Sequence, residues 1–344
     1  MSIEIRPLVS IGIPSYNRPK QLRRVLASIT TQTYSNFEVL VSDNCSPGTV
    51  IQEVVEEFMA KDSRIRYIRQ PSNVGMFYNF KRVFEMAKGD YFAWLADDDV
   101  RADTFIERCM EVFEQPNQSP DLILVNAYSQ AIPSSLRDTV SRKNGKSDFE
   151  NLEQRLTSGG LEDYPAASEH RSMTQTMTKQ TSSDTAMQSI KTDQGCTTIG
   201  MPAAERYYRY LGSVYTTQNA IGDLIYGVMK RKAIMPVLMS QPNILGWDRV
   251  FLAALALEGE FYTIPEVLMY SSLDGMSSLK NVQKMAAIQC IENPLYIRKA
   301  KWVRAFFLQQ AAWYSQSLSI LAKLKLTLWL WTNTIKRAIF QQPA

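Results

Sequence analysis

Short apolar runs alternate with amphipathic segments along the first part of the chain. Each run is short enough to be a buried β-strand, and together they occupy 8–13, 37–43, 65–68, 91–96 and 121–127. Between the runs, apolar residues recur at helical spacing, as in Leu22, Val25 and Ile29. This alternation predicts an α/β fold with a Rossmann-like, mostly parallel sheet and helices on both of its faces.

The pattern stops after the fifth run and returns near Tyr207. The stretch 129–200 is rich in Ser, Thr, Gln, Lys and Gly, so we expect a flexible polar insertion that buries too little apolar surface to become ordered. Residues 1–128 and 201–281 are then the two halves of one α/β domain. The second half predicts a strand entering a helix at 219–234, a helix at 247–257 and two short strands around Pro265. Residues 282–344 predict a helical C-terminal extension.

Polar residues follow three of the predicted strands. Ligands of an open α/β sheet bind beyond the carboxyl ends of its strands, and this rule selects 14–18, 43–46 and 97–99. The last segment is three adjacent carboxylates, whose mutual repulsion favours a nearby cation, and hard oxygen ligands suit Mg²⁺ or Mn²⁺. Alternatively, the acidic residues cap a helix predicted at 101–113, where the helix dipole stabilises negative charge.

The first two strand ends also allow two interpretations each. Asp43 could accept the imide N–H of a pyrimidine base, but a turn closed by its side chain explains the residue better on its own. Tyr16 could stack on a base and Arg18 could bind phosphate, or the segment could be a plain loop before a helix.

One total excludes several classes of enzyme. The only histidine is His170, which lies in the polar insertion. Ser-His-Asp hydrolysis, Cys-His proteolysis and histidine-rich zinc sites all need a positioned imidazole, so carboxylates must do any acid–base chemistry. The four cysteines are scattered singly, and the first residues lack the pattern of a signal peptide. Both features favour a cytoplasmic location with reduced thiols.

Positive charge is concentrated at the end of the chain. The net charge is +4, and the eight basic residues from Arg298 onward have no acidic counterpart, so 4 − 8 leaves −4 for 1–297. Residues 318–340 mix Leu, Ile and Trp with Lys and Arg, and no apolar run reaches the roughly 18–20 residues that span a bilayer. This pattern favours a basic amphipathic helix on a membrane surface, or a helix packed on the domain or a partner. Nucleic-acid binding is not expected, because the basic charge is confined to one apolar tail.

The order and spacing of these segments resemble a known family. IGIPSYNRPKQLRRVLASITTQTYSNFEVLVSDNCS and QPSNVGMFYNFKRVFEMAKGDYFAWLADDDV are similar to family 2 glycosyltransferases of the GT-A fold, over 8–126. The form YFAWLADDDV looks most like the branch that acts in bacterial surface-polysaccharide assembly. The resemblance implies inverting transfer from a nucleoside-diphosphate sugar, with a UDP-sugar expected. The acceptor would be the hydroxyl of a saccharide or lipid-linked saccharide, at the cytoplasmic face of the membrane.

The resemblance also implies a role for individual residues. Donor-binding roles fall on Pro14, Tyr16, Asn17, Arg18, Asp43, Asn73, Gly75 and Asp97. The metal-binding Asp-x-Asp element falls on Asp97, Asp98 and Asp99, with Asp98 as the best single ligand because Ala96 occupies the place of the first aspartate in many members. The catalytic base falls on Asp248 in GWDRVFLAALALEGEFYTIPEVLMY (246–270), since a carboxylate can accept the acceptor's hydroxyl proton. Glu258 and Glu266 are weaker candidates.

One element of the family pattern is missing. Many members follow the last strand with Tyr-Arg-x-His, whereas this chain has Tyr270-Ser271-Ser272-Leu273. The loss of a metal ligand leaves open a catalytically degenerate nucleotide-sugar-binding or scaffold protein. A second alternative is a nucleotidyltransferase, but the segment IPSYNRPK lacks the glycines of a phosphate-binding loop.

Overall fold

The structure is a computed structural model, and it describes residues 6–132, 191–192, 196–216, 222–272 and 282–340. The first half of the domain alternates strand and helix as predicted, and the second half adds three α-helices and a 3₁₀ turn before the tail. The strands are β1 (Val9–Ser15), β2 (Phe37–Asp43), β3 (Ile65–Arg69), β4 (Tyr91–Trp94), β5 (Val100–Arg101), β6 (Leu122–Ile132), β7 (Lys191–Thr192), β8 (Val228–Lys230) and β9 (Glu260–Ser272). The helices are α1 (Pro19–Thr30), α2 (Val50–Met59), α3 (Met76–Glu85), α4 (Phe105–Phe113), α5 (Ala203–Thr216), α6 (Arg231–Met239), α7 (Trp247–Glu258), α8 (Val282–Ile288), α9 (Pro294–Arg298), α10 (Ala300–Tyr314) and α11 (Ile320–Phe340), with a 3₁₀ turn at Gly222–Tyr226.

The described strands form one sheet in the order β3-β2-β1-β4-β8-β6-β9-β5, with β7 beside β6. Strands β1 to β4, β6 and β9 run in one direction, while β5, β7 and β8 run against them. The predicted mostly parallel sheet is therefore confirmed, and the carboxyl ends of β1, β2 and β4 meet at the same edge.

Helices cover both faces of the sheet, because successive side chains of each strand point to opposite sides. In β4, Phe92 and Trp94 join a core built with α3, α5, α7, α10 and α11. Ala93 and Leu95 join the opposite core, built with α1, α2 and α4. The helical extension thus belongs to the core on one face of the sheet.

The acidic triplet lies in a loop, and a short strand separates it from the next helix. Strand β4 ends at Trp94, β5 follows the triplet, and α4 begins at Phe105. The helix predicted at 101–113 therefore starts later, because Val100 and Arg101 pair with β9. The interpretation of the triplet as a helix cap is wrong for this reason.

Strand structure extends into the predicted insertion at 129–200. Strand β6 continues to Ile132, and β7 pairs with it through Ser129 and Gln130. Residues 133–190 and 193–195, including His170, lie outside the described residues. Strand β9 is continuous, whereas the sequence predicts two strands around Pro265. Its pairing with β6 skips from Ile264 to Val267, so Pro265 lies in a bulge where its missing N–H leaves no ladder bond unmade.

The described part of 282–340 is helical, as predicted, and it consists of four helices. Helix α10 packs against α7, and α11 packs against α10 and α5. Among the described residues, no helix is both long enough and apolar enough to cross a membrane.

Candidate functional site

The ends of β1 and β2 are joined to each other by hydrogen bonds from backbone N–H groups. Asn44 donates from its backbone N–H to the carbonyl of Ser15 at 2.9 Å, and Asn17 donates to the Ser46 hydroxyl at 2.8 Å. Asn17 has a φ of 55°, a left-handed conformation that asparagine tolerates better than most residues. The loop that begins at Pro14 is thereby fixed, and it leaves Tyr16 43% exposed above the sheet edge.

Asp43 is fully buried and organises the second strand end. One carboxylate oxygen accepts from the backbone N–H of Ser46 at 2.9 Å and also from the Ser46 hydroxyl. The other accepts from the Tyr67 hydroxyl at 3.0 Å and from Nη1 of Arg69 at 3.1 Å. The local turn is therefore present, and these four donors occupy the carboxylate. Contact between Asp43 and a base stays a prediction.

The Asn73–Gly75 turn interlocks with the loop after β2. Nδ2 of Asn44 donates to Oδ1 of Asn73 at 2.8 Å, and the N–H of Val74 donates to Oδ1 of Asn44 at 2.9 Å. Gly75 has a φ of 83°, and a Cβ at this position would lie 2.5 Å from the carbonyl oxygen of Gln289. Only glycine fits here, because the segment after α8 lies directly against the turn.

Arg18 connects the first loop with the acidic triplet. Its Nη1 lies 2.7 Å from Oδ2 of Asp98 and 3.4 Å from Oδ1 of Asp97. Asp97 also accepts from the Ser15 hydroxyl at 2.9 Å and from the N–H of Tyr16 at 3.3 Å. Burial raises the pKa of Asp97 to about 6, and the nearby Arg18 opposes that rise. The carboxylate is thus desolvated more than its present partners compensate.

The triplet fits a divalent cation only in a particular way. Within the described residues, no three His, Cys, Asp or Glu side chains are arranged so that they could hold a metal ion. Mg²⁺ is commonly bound by one or two carboxylates together with substrate phosphates and water. The oxygen ligands and the under-compensated Asp97 fit that mode, in which the protein supplies only part of the coordination.

Asp248 is the second residue of α7, where the helix dipole favours a negative charge. Its position is fixed by the buried Trp247, whose ring centroid lies 5.1 Å from that of Phe77 and 5.6 Å from that of Phe80. Both phenylalanines belong to α3, which begins at the Asn73–Gly75 turn. Glu258 lies at the opposite end of α7, ten residues or about 15 Å away. Glu266 is exposed and forms an ion pair with Arg108.

The 3₁₀ turn Gly222–Tyr226 lies near both the triplet and Asp248. The turn packs against β4, β6 and α7. Burial, and then the negative charges of Asp99, Asp98, Asp223 and Asp248, raise the pKa of Tyr226 well above its ordinary value. Carboxylates from the two halves of the domain therefore act on the same phenol.

Several residues of this site carry no prediction from the sequence. Ser15, Asn44 and Ser46 hold the strand-end loops, and they lie within or beside the segments that the strand-end rule selects. Tyr226 has no such signal, because it belongs to a 3₁₀ turn without a periodic pattern. Its relevance emerges only from tertiary packing.

The chain is similar in sequence to known glycosyltransferases. Residues 10–158 match the family model described as Glycosyl transferase family 2. An uncharacterized glycosyltransferase of Haemophilus influenzae is 36% identical over 111 residues, which cover 32% of this chain and 36% of that protein. The putative colanic acid biosynthesis glycosyl transferase WcaA of Escherichia coli is 33% identical over 95 residues, covering 27% of this chain and 33% of WcaA. The chain thus spans about a third of the length of either relative.

A solved structure shows the likeness of the fold. The crystal structure of S. aureus TarS 1-349 in complex with UDP-GlcNAc superposes with a TM-score of 0.50 at 13% sequence identity. The match covers 95% of this chain and 80% of that one. The predicted GT-A fold is confirmed by this likeness.

Proposed function

From the match of residues 10–158 to the family model described as Glycosyl transferase family 2, we propose that the protein is a family 2 glycosyltransferase that transfers a sugar, with inversion, from a nucleoside-diphosphate sugar to a hydroxyl acceptor. The setting would be the assembly of bacterial cell-surface polysaccharide or glycolipid, as in the process for which the relative WcaA is named. The observation that carries the proposal is the approach of the acidic triplet and Asp248 to the same 3₁₀ turn.

The donor's nucleotide would lie over the ends of β1, β2 and β3. The three loops there are already held in place by mutual hydrogen bonds, so nucleotide binding requires little reorganisation. Tyr16 offers an exposed ring for a base, and Arg18 offers a guanidinium suited to the two oxygens of a phosphate. We expect Arg18 to shift from Asp98 toward the diphosphate when the donor binds.

The proposed cation site uses Asp98 with Asp97 or Asp99. These residues would hold Mg²⁺ or Mn²⁺ together with diphosphate oxygens, and the bound cation would neutralise the charge of the departing nucleoside diphosphate. Asp97 contributes orientation as well, since its bonds to Ser15 and to the N–H of Tyr16 fix the start of the triplet relative to the donor loops.

Asp248 would act as the general base. It would accept the proton of the acceptor hydroxyl while that oxygen forms a bond to the anomeric carbon. The bond from the anomeric carbon to the diphosphate breaks in the same step, and its electron pair leaves with the nucleoside diphosphate. A single displacement from the face opposite the leaving group inverts the anomeric centre.

The sharpest test replaces Asp248 by Asn and measures donor binding and turnover separately. Nucleoside diphosphate released from UDP-, GDP- and dTDP-sugars is followed with saccharide and lipid-linked acceptors. The variant should bind the donor with unchanged affinity and lose about 10²–10⁴-fold in turnover. Glu258→Gln makes the same chemical change at the other end of α7 and should keep full activity.

The two alternatives give different results in this experiment. A degenerate binding or scaffold protein would bind the donor and show no turnover even in the wild type. A nucleotidyltransferase would release pyrophosphate from a nucleoside triphosphate and leave the nucleotide sugars intact. Either result would overturn the proposed reaction.

The proposal extends to a membrane surface beneath the tail. Ile320, Leu321, Leu324 and Leu328 are more than half exposed and share one face of α11. On a helical wheel, Lys323 and Lys325 fall on opposite borders of this stripe. An apolar stripe bordered by lysines fits the headgroup layer of an anionic bilayer, where a lipid-linked acceptor is presented.

Vesicle sedimentation tests this surface. The wild type should bind phosphatidylglycerol vesicles more strongly than phosphatidylcholine vesicles, and the double variant Leu324→Glu, Leu328→Glu should lose the binding. Val50→Glu changes an exposed apolar residue on α2 and serves as the control. Equal sedimentation of wild type and double variant would contradict the assignment. A dimer that the double variant dissociates would assign the stripe to a second copy of the chain.

A further inference from the structure

Tyr226 and Asp223 line the part of the site that lies across β4 from the nucleotide loops. The sheet order places β1, β2 and β3 on one side of β4 and β8 and β6 on the other. The 3₁₀ turn leads directly into β8 and packs against β4, β6 and α7. It therefore lies between the strand that leads into the triplet and the helix that carries Asp248.

Contacts of the turn fix its position. The carbonyl of Asp223 accepts from Nδ2 of Asn126 at 3.4 Å. The Arg101 guanidinium carbon lies 5.8 Å from the centroid of the Tyr226 ring and 5.4 Å from that of Phe105. Arg101 follows the triplet on β5, so the ring of Tyr226 is held close to the end of the triplet.

Hydrogen-bonding capacity around the turn is left unused. The Tyr226 side chain is only partly buried, so part of its surface can meet a ligand. Arg101 and Asn126 are 4% and 1% exposed, and Nη2 of Arg101 and Oδ1 of Asn126 have no partner among the residues that the structure describes. Buried polar groups are normally paired, so an unpaired donor and acceptor behind a half-open phenol indicate a site that a ligand completes.

We propose that Tyr226 and Asp223 recognise the hydroxyls of the sugar being transferred, and so help to determine which donor sugar the protein accepts. This inference rests on the proposed function. A phenol can donate and accept, and a carboxylate accepts strongly, which together suit a ring of hydroxyl groups.

The geometry favours the sugar over the other parts of the substrates. The transferred sugar must lie between the diphosphate, which the triplet would bind, and the acceptor hydroxyl, which Asp248 would deprotonate. The 3₁₀ turn lies between the elements that carry these groups, whereas the base and ribose would lie over β1, β2 and β3. Arg101 is a positioning residue, because its buried guanidinium stabilises the Asp223 carboxylate and opposes the rise in the pKa of Asp223 that burial causes.

The test separates recognition of the sugar from recognition of the nucleotide. Wild type, Tyr226→Phe, Asp223→Asn and the control Tyr208→Phe are titrated calorimetrically with Mn²⁺ present. The ligands are UDP, UDP-glucose, UDP-galactose, UDP-GlcNAc, GDP and GDP-mannose. Tyr208 is also partly buried, but its ring packs on Trp329 of α11, away from the turn.

Tyr226→Phe should bind the nucleoside diphosphate within about twofold of wild type. Its preference for the favoured sugar nucleotide over the free nucleoside diphosphate and over the epimer should fall by about five- to tenfold. Tyr208→Phe should keep both. An unchanged preference in Tyr226→Phe, or an equal loss for the nucleoside diphosphate alone, would overturn the inference and leave the proposed function standing. A wild type that binds none of these ligands would overturn both, and Tyr226→Phe decides the matter even if Asp223→Asn does not fold.

Discussion

The two sides of β4 differ in how far their polar groups are satisfied. Toward β1, β2 and β3, the strand-end loops are bonded to one another, and Asp43 alone has four donors. Toward β8 and β6, Arg101 and Asn126 retain buried polar atoms without partners among the described residues. On the first side the polar groups are already hydrogen-bonded within the protein. On the second side we expect a bound ligand to supply the missing partners.

This contrast agrees with the proposed roles of the two sides, in which one binds the nucleotide and the other binds the sugar and the acceptor. A nucleoside diphosphate is common to many donors, so its loops can be fixed in advance. The sugar and the acceptor differ from one enzyme to another, and the region from 222 onward lies beyond the 10–158 segment that matches the family model. We therefore expect substrate choice to be encoded on the less satisfied side.

Among the stability effects expected here, the largest is at Asp97. Its pKa is raised from 3.8 to about 6, so the folded state holds the proton more tightly than the unfolded chain does. The resulting stability is present below about pH 4 and is lost as the pH rises through 6. Asp97→Asn removes this loss and should be more stable than wild type at pH 7 by up to about 3 kcal/mol. Urea unfolding at pH 7 and pH 4, with a chelator present, measures the difference.

Asp62 provides a control of opposite sign. Its hydrogen bond from Arg64 lowers its pKa, so its contribution is present above the ordinary pKa and is lost as the pH falls. Asp62→Asn should therefore be less stable than wild type at pH 7. If Asp97→Asn behaves in the same way as Asp62→Asn, the desolvation assigned to Asp97 is wrong.

A smaller effect tests the contact between the donor turn and the C-terminal segment. Gly75 and Gly48 both have positive φ, of 83° and 69°, but only the Cβ of an alanine at 75 would meet another atom, the carbonyl of Gln289. Each alanine should cost about 1–2 kcal/mol for its backbone conformation. Gly75→Ala should cost about 1 kcal/mol more, because the backbone at Gln289 must shift. Equal losses in denaturant unfolding would mean that the C-terminal segment does not press on the turn.

Much of the fold follows from the apolar pattern, because strands such as β1 and β2 are buried along their whole length, whereas helices such as α1 bury one face. The strand-end rule likewise locates the triplet and its partner Arg18, since parallel strands place their carboxyl ends at one edge. Very short elements cannot be predicted in this way, because they contain too few residues to show a pattern. Strand β5 has two residues, and it exists only because Val100 and Arg101 meet β9.

Long-range packing accounts for the rest of the site. The sequence around Gly75 indicates a turn but gives no sign that Gln289 lies against it. Tyr226 belongs to the site because the 3₁₀ turn is wedged between β4 and α7, which no local pattern encodes. The role of Asp248 as base stays a prediction, although its helix α7 packs against the 3₁₀ turn that carries Tyr226.

Thermal unfolding with UDP, dTDP, GDP and CMP, each with and without Mn²⁺, probes the proposed donor site without requiring the acceptor. At a hundred times its Kd, one nucleoside diphosphate should stabilise the protein by about 2.7 kcal/mol, a rise in Tm of several degrees or less. We expect this shift to depend on Mn²⁺ and to disappear in Asp98→Ala. No shift with any nucleotide, or a shift that Asp98→Ala leaves intact, would contradict the assignment of the donor site to the ends of these strands.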